Sequence, residues 1–121
     1  MTEWTFKHFK REEFACHCLC GYDDIDLTLV QHLENMRTSI GMPFEIVSGC
    51  RCERHNKNIG GEKNSAHTRG KATDIRMAGS TFRYVFLTMA LRIFKRIGVY
   101  KSFCHVDVDE TLPQPVIWVG K

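Results

Sequence analysis

Three residues of metal-binding type stand in contexts that set them apart. His67 closes a stretch rich in Gly, Asn and Ser, Asp74 lies between Ala72 and Ile75 in a β-favouring segment, and His105 lies within the apolar run Val99 to Val108. An ionised carboxylate in a half-buried strand is costly unless it is paired or metal-bound, so Asp74 requires a cation. Two neutral imidazoles and one carboxylate make a zinc site with three protein ligands, and the fourth position then holds the water that hydrolysis needs. The same residues admit a plainer arrangement, in which Asp74 pairs with Arg69, Lys71 or Arg76 and the histidines are ordinary core or surface residues. Residue type and spacing leave both open.

Five of the six cysteines fall in two tight groups, Cys16-x-Cys18-x-Cys20 and Cys50-x-Cys52, the second bracketing Arg51. Alternating cysteines joined by Cys52 or His17 can form a structural zinc site tying the N-terminal segment to the loop that carries Arg51. A disulfide between the groups and free thiols packed as small hydrophobes are the other two outcomes. Cys104 alternates away from His105 and is expected in the core. The Cys-x-Cys spacing is not that of a thioredoxin-like motif, and no catalytic Cys/His pair is evident.

These side chains need elements to hold them. Ile25, Leu29, Leu33, Met36 and Ile40 recur at helical spacing, with Asp24 or Asp26 as N-cap and Gly41 as stop, which predicts a helix over about 26–40. Phe44 to Val47 reads as a short strand. Gly49 to His67 reads as a long loop, and loops of that length in small domains are most often functional or disordered. Lys71 to Met77 is a second strand, and Ser80 caps a helix expected to run to Ile97 and stop at Gly98. Val99 to Val108 and Val116 to Val119 are further strands, the last two separated by a turn with Pro113 and Pro115. This irregular alternation favours an α+β domain over a doubly wound sheet. Trp4, Phe6, Phe9 and Phe14 are expected to pack an N-terminal arm, residues 1–22, onto the domain. Trp118 is expected either to line the cleft or to close the last strand, with packing the favoured role.

With 121 residues, 43% hydrophobic and 26% charged, the chain fits one soluble domain, 1–121, and not a disordered or collagen-like polymer. No run approaches the roughly 18 apolar residues of a membrane span. Met1 to Lys10 lacks the apolar region of a signal peptide, so any action outside the cytoplasm is expected to follow release by another route. Lys and Arg number 17 against 14 Asp and Glu, a net +3, and the charge is scattered without a basic, aromatic surface, so neither nucleic acid nor membrane is expected as partner. A monomer is expected.

Ser48-Gly49-Cys50-Arg51, Asn56, Gly60-Gly61, Ser65-Ala66-His67, Gly70, Ala72 and Asp74-Ile75, continued by Gly98, Tyr100 and His105-Val106-Asp107, together resemble the signature of the M15 zinc peptidases. The resemblance runs from about Phe6 to Val108 and is to a family that contains D-alanyl-D-alanine carboxypeptidases and phage endolysins, of the M15A type. It implies a small α+β fold shared with hedgehog signalling domains, with a central, mostly antiparallel sheet flanked by helices. It further implies hydrolysis of peptidoglycan stem peptides, with Zn²⁺ on His67, Asp74 and His105. Arg51 would face the metal and hold a substrate carboxylate or an oxyanion. Beside the resemblance, Gly49, Gly60, Gly61 and Gly70 can fold the loop that delivers His67, while Ser65 and Asn56 are expected to support it by hydrogen bonds.

The chain departs from its relatives where a general base is wanted. Many M15 enzymes carry Glu, Asp or His a few residues before the last histidine ligand, whereas this chain reads Tyr100-Lys101-Ser102-Phe103-Cys104. Asp107, two residues on, shares a strand face with His105 and is expected to be the base or to orient that ligand. Tyr100 is a candidate oxyanion donor, although an uninterrupted strand would turn it to the opposite face. The missing carboxylate leaves a noncatalytic, zinc-dependent peptide- or wall-binding domain as the alternative to an enzyme.

Overall fold

The computed structural model describes residues 3–121. Its elements are α1 (Leu27–Ile40), β1 (Ile46–Ser48), α2 (Glu53–Asn58), β2 (Ala72–Arg76), α3 (Ser80–Ile93), β3 (Arg96–Val99), β4 (Phe103–Asp107) and β5 (Val116–Val119), with 3-10 turns at Arg11–Phe14 and Ala66–Arg69. Helix α1 keeps the expected limits because both ends are chemically closed. Asp26 Oδ1 accepts from the amides of Thr28 and Leu29 at 2.8 and 3.1 Å, and Gly41 turns left-handed at φ 72°.

The five strands form one sheet in the order β1-β2-β4-β3-β5, antiparallel throughout except for the parallel β3/β5 pair. Register explains how the sheet serves two purposes. Ser48, Asp74, His105, Gly98 and Trp118 are partners in a single row across all five strands. Residues paired across strands share a face, so this row lies on one face of the sheet. The alternate residues Ile75, Cys104, Val106 and Ile97 point the other way and join one hydrophobic cluster with Leu29, Leu33 and Met36 of α1 and Phe82, Phe86 and Ala90 of α3. The N-terminal segment contributes to this core. Phe9 and Phe14 are buried in it, Trp4 and Phe6 pack against it, and the His8 imidazole pairs with Glu34 of α1. Cys104 is fully buried, as its alternation with His105 required. Among the described residues no helix is long and apolar enough to cross a membrane.

Four boundaries differ from those read in the sequence. The stretch 49–67 contains helix α2 and the first half of a 3-10 turn, not a plain loop; α2 has no apolar periodicity, and its cap is the Cys52 thiol, which accepts from the His55 amide. Strand β1 is displaced two residues beyond Phe44, whose ring goes to the core. Helix α3 starts after Gly79 without a side-chain cap and stops at Ile93, because Ile97 and Gly98 belong to β3. The run Val99 to Val108 is two strand segments joined by a turn, closed by the Tyr100 amide on the Phe103 carbonyl at 3.0 Å. That turn resets the side-chain alternation, and Tyr100 therefore reaches the same cleft as His105 rather than the opposite face.

Gly98 leaves room for a neighbour. A methyl group at its Cα would stand 2.6 Å from the Trp118 ring, which lies 5.3 Å from the His105 ring, has the Arg96 guanidinium 5.1 Å from its centroid and donates to Tyr100 Oη at 2.9 Å. Gly98→Ala should therefore cost about 1–3 kcal/mol by overpacking and push Trp118 outward. Denaturant midpoints, with tryptophan emission in a Trp4→Phe background, check both effects. An unchanged midpoint and spectrum would show that the ring yields freely.

Candidate metal centre

Each member of the His67, Asp74 and His105 constellation arrives by a different local device. Asp74 and His105 are direct cross-strand partners of β2 and β4. His67 comes from the 3-10 turn Ala66–Arg69, which Ser65 opens by accepting from the His67 amide at 3.1 Å and Gly70 closes at φ 69°. Gly70 admits no side chain, since a Cβ would meet the Asp24 carbonyl at 2.4 Å. The Arg51 amide donates to the His67 carbonyl at 3.0 Å, tying the turn to the Gly49–Cys52 segment.

The three side chains present one potential ligand atom each, all within 4.8 Å of one another. His67 Nε2 and His105 Nδ1 lie 3.1 and 3.0 Å from the same oxygen, Asp74 Oδ1. The outward nitrogens decide the tautomers. His67 Nδ1 meets the Gly49 carbonyl at 2.7 Å, and a carbonyl only accepts, so Nδ1 carries the proton. His105 Nε2 meets Asp107 Oδ2 at 2.7 Å and likewise donates. In the neutral rings both inward nitrogens are then bare lone pairs aimed at a carboxylate oxygen. Three acceptors converging on one point can hold a cation between them. Their chemistry, two imidazoles and a carboxylate with no soft donor, fits Zn²⁺.

Burial works against charge here, and the neighbours decide where it settles. Burial lowers the His67 pKa, Asp74 recovering part of the shift. Burial would lower His105 too, but the hydrogen bonds and charges of Asp107 and Asp74 outweigh it and raise its pKa. Burial alone would raise Asp74, yet His105 and His67 hold it well below the usual carboxylate range. The expected alternatives for Asp74 are all engaged elsewhere: Arg69 pairs with Asp109, Lys71 with Asp26 and Arg76 with Glu45. Its ionic partner is Arg51, whose Nη2 lies 3.2 Å from Oδ2. Arg51 is further held by Ser48 Oγ and Asn56 Oδ1, each at 3.1 Å, and Asn56 Nδ2 donates to the Glu62 carbonyl at 2.8 Å. Nη1 and Nη2 each retain a second N–H for a ligand.

These residues face an open cleft of about 690 Å³, which Tyr100, Glu62, Arg96 and Trp118 also line. Tyr100 stacks on Phe103 at 4.4 Å, and its hydroxyl accepts from Trp118 while its own proton stays available. Trp118 is a wall of this cleft, not an element of packing alone. Asp107 is buried behind His105. Both of its oxygens lie 3.0 Å from Arg96 Nε, and Oδ1 also accepts from the Asp109 amide at 3.1 Å. Arg96 escaped notice in the sequence, where it lies eleven residues from Asp107 and resembles any helix-end cation; only the β3/β4 register brings the two together. Cys16, Cys18, Cys20 and Cys52 gather in a separate cluster, while Cys50 is buried outside it.

A family model described as Peptidase M15 matches residues 7–109. No curated protein matches the chain.

Two measurements follow from the buried hydrogen bonds. Asp107→Asn removes the charge that holds the His105 imidazole, and Zn²⁺ affinity by competition with a chelator should fall about tenfold to a hundredfold while the fold persists. Lower pH should weaken binding in the wild-type protein, because the raised His105 pKa means that a proton must leave before its lone pair is free. The dissociation constant should rise about tenfold per pH unit below that pKa, and flat affinity between pH 7 and 5 would exclude a histidine ligand of this kind.

Proposed function

The chain belongs to the M15 peptidase family, a zinc-dependent family of peptidases, and from that premise we propose that it hydrolyses peptidoglycan stem peptides. The bond cut is a D-alanyl-D-alanine or an L-alanyl-D-glutamate linkage, and the role is that of a phage- or prophage-type lysin reaching the wall after release. The observation that carries this reading is the convergence of His67, Asp74 and His105 with the Arg51 guanidinium in one solvent-open cleft. A Zn²⁺ held there supplies a Lewis acid that activates water and polarises a carbonyl.

The chain's own groups take the remaining tasks. The free N–H groups of Arg51 hold a substrate carboxylate or the oxyanion as charge develops, and the anionic ends of stem peptides suit a cleft that also carries Arg96. Tyr100 Oη, on the lining of the same cleft, can add a hydrogen bond. Asp107 orients His105, and its lone pairs are already committed to His105, Arg96 and the Asp109 amide, which favours orientation over proton abstraction. Glu62 is the remaining carboxylate on the cleft lining, at its exposed rim, and is the better candidate for moving the proton. Asp109 is excluded by its bonds to Arg69 and Thr111. The commitment of Asp107 also favours a second reading, a zinc-dependent peptide-binding domain without turnover.

Incubation with stem peptides ending in D-alanyl-D-alanine, and with peptides holding the L-alanyl-D-glutamate bond, separates the readings by mass shift. Arg51→Ala should retain zinc and lose about a hundredfold or more in rate, and Arg51→Lys should recover little because an ammonium lacks the planar fork. Glu62→Gln should lower the rate with zinc content intact. Binding without cleavage of either peptide would favour the second reading.

A further inference from the structure

Cys16, Cys18, Cys20 and Cys52 place four sulfurs within 4.8 Å of one another, apart from the cleft. Cys16 and Cys18 lie 3.5 Å apart, as do Cys18 and Cys52. Zn–S bonds of about 2.3 Å in a tetrahedron set sulfurs about 3.8 Å apart, so the spacing is that of four ligands on one ion rather than of two bonded pairs. The surrounding backbone is arranged for thiolates. The Cys52 amide points at Cys16 Sγ and the His55 amide at Cys52 Sγ, both at 3.4 Å, and the Arg54 guanidinium stands beside Cys18 where it can offset a doubly negative complex.

Beyond the buried Cys16, little apolar packing holds the turn that presents Cys18 and Cys20. Leu19 is held left-handed at φ 64° and is 91% exposed, so its side chain contributes nothing that would compensate the strain. Its amide donates to the Cys16 carbonyl at 3.2 Å, and Gly21 follows at φ 90°, which folds Cys16 to Cys20 into a knuckle. A metal ion on the alternating cysteines would supply the constraint that packing around Leu19 lacks.

We propose that Cys16, Cys18, Cys20 and Cys52 bind a structural Zn²⁺ as a tetrathiolate, clamping the N-terminal arm to the segment that carries Arg51. The consequence is positional. Cys52 is both a ligand and the cap of α2, whose Asn56 holds the Arg51 guanidinium, so the ion fixes the helix that aims that guanidinium. The site is independent of the peptidase reading, because its ligands are disjoint from His67, Asp74 and His105.

Metal content of the reduced, dialysed full chain should be two Zn²⁺ in the wild type, one in His67→Ala and one in Cys18→Ser. Cobalt-substituted His67→Ala should show the intense ligand-field and sulfur-to-metal charge-transfer bands of a tetrathiolate. Because Cys18→Ser can fail to fold, alkylation of the wild type supplies a second readout. The exposed or half-exposed Cys18, Cys20 and Cys52 should resist iodoacetamide when zinc-loaded and react after zinc is stripped. A single zinc that His67→Ala removes entirely, cobalt spectra without charge-transfer bands, or equal alkylation with and without zinc would each overturn the proposal. Failure of peptide cleavage would leave all three readouts unaffected.

Discussion

One buried carboxylate organises the functional half of this molecule. Asp74 is 4% exposed and carries its charge in the middle of a sheet, where an uncompensated ion costs several kcal/mol. Each structural feature nearby answers that cost. Strand β4 brings His105, a 3-10 turn brings His67, and the segment after β1 brings Arg51, so the three partners of Asp74 come from three separate parts of the chain. None of these parts can shift alone without leaving a charge or a lone pair unanswered. Outside that convergence of acceptors, every buried polar side-chain atom among the described residues has a hydrogen-bond partner.

The sheet resolves a conflict between that polar centre and the need for a core. Because strand side chains alternate, Asp74 and His105 face the cleft while Ile75, Cys104 and Val106 enter the apolar cluster one residue away. The domain therefore needs no separate layer to carry its site. Its helices cover the apolar face, and loops and the last strand wall the other. The parallel β3/β5 pair matters for this wall, since it sets Trp118 beside Gly98 in the row that contains His105.

What could be read from the residues followed from local rules. Helix α1 was legible because Asp26 and Gly41 close it chemically, and β2 because β-favouring residues surround Asp74. His67, Asp74 and His105 stood out by type, and the family resemblance ordered them. The strand order, the Arg96–Asp107 pair and the gathering of Cys52 with Cys16, Cys18 and Cys20 were not legible as facts, since each depends on pairings between distant segments. Helix α2 was invisible because its sequence, Glu53 to Asn58, has no apolar stripe and is held by a sulfur cap and by what surrounds it. The turn after Tyr100 was missed because it contains neither glycine nor proline, and with it went the parity that places Tyr100 in the cleft.

The alternation along β4 also bears on how such a domain can diverge. Phe103, His105 and Asp107 share one face, while Cys104 and Val106 share the other. Inserting or deleting one residue within the strand would exchange the two sets, sending His105 into hydrocarbon and Val106 to solvent. Length changes thus invert the faces of β4 when they fall inside it but leave its register intact in the turns at 100–102 and 109–115. Lineages descending from a common ancestor should accumulate their insertions and deletions at those turns, reshaping the mouth of the cleft while the ligand-bearing strand keeps its count.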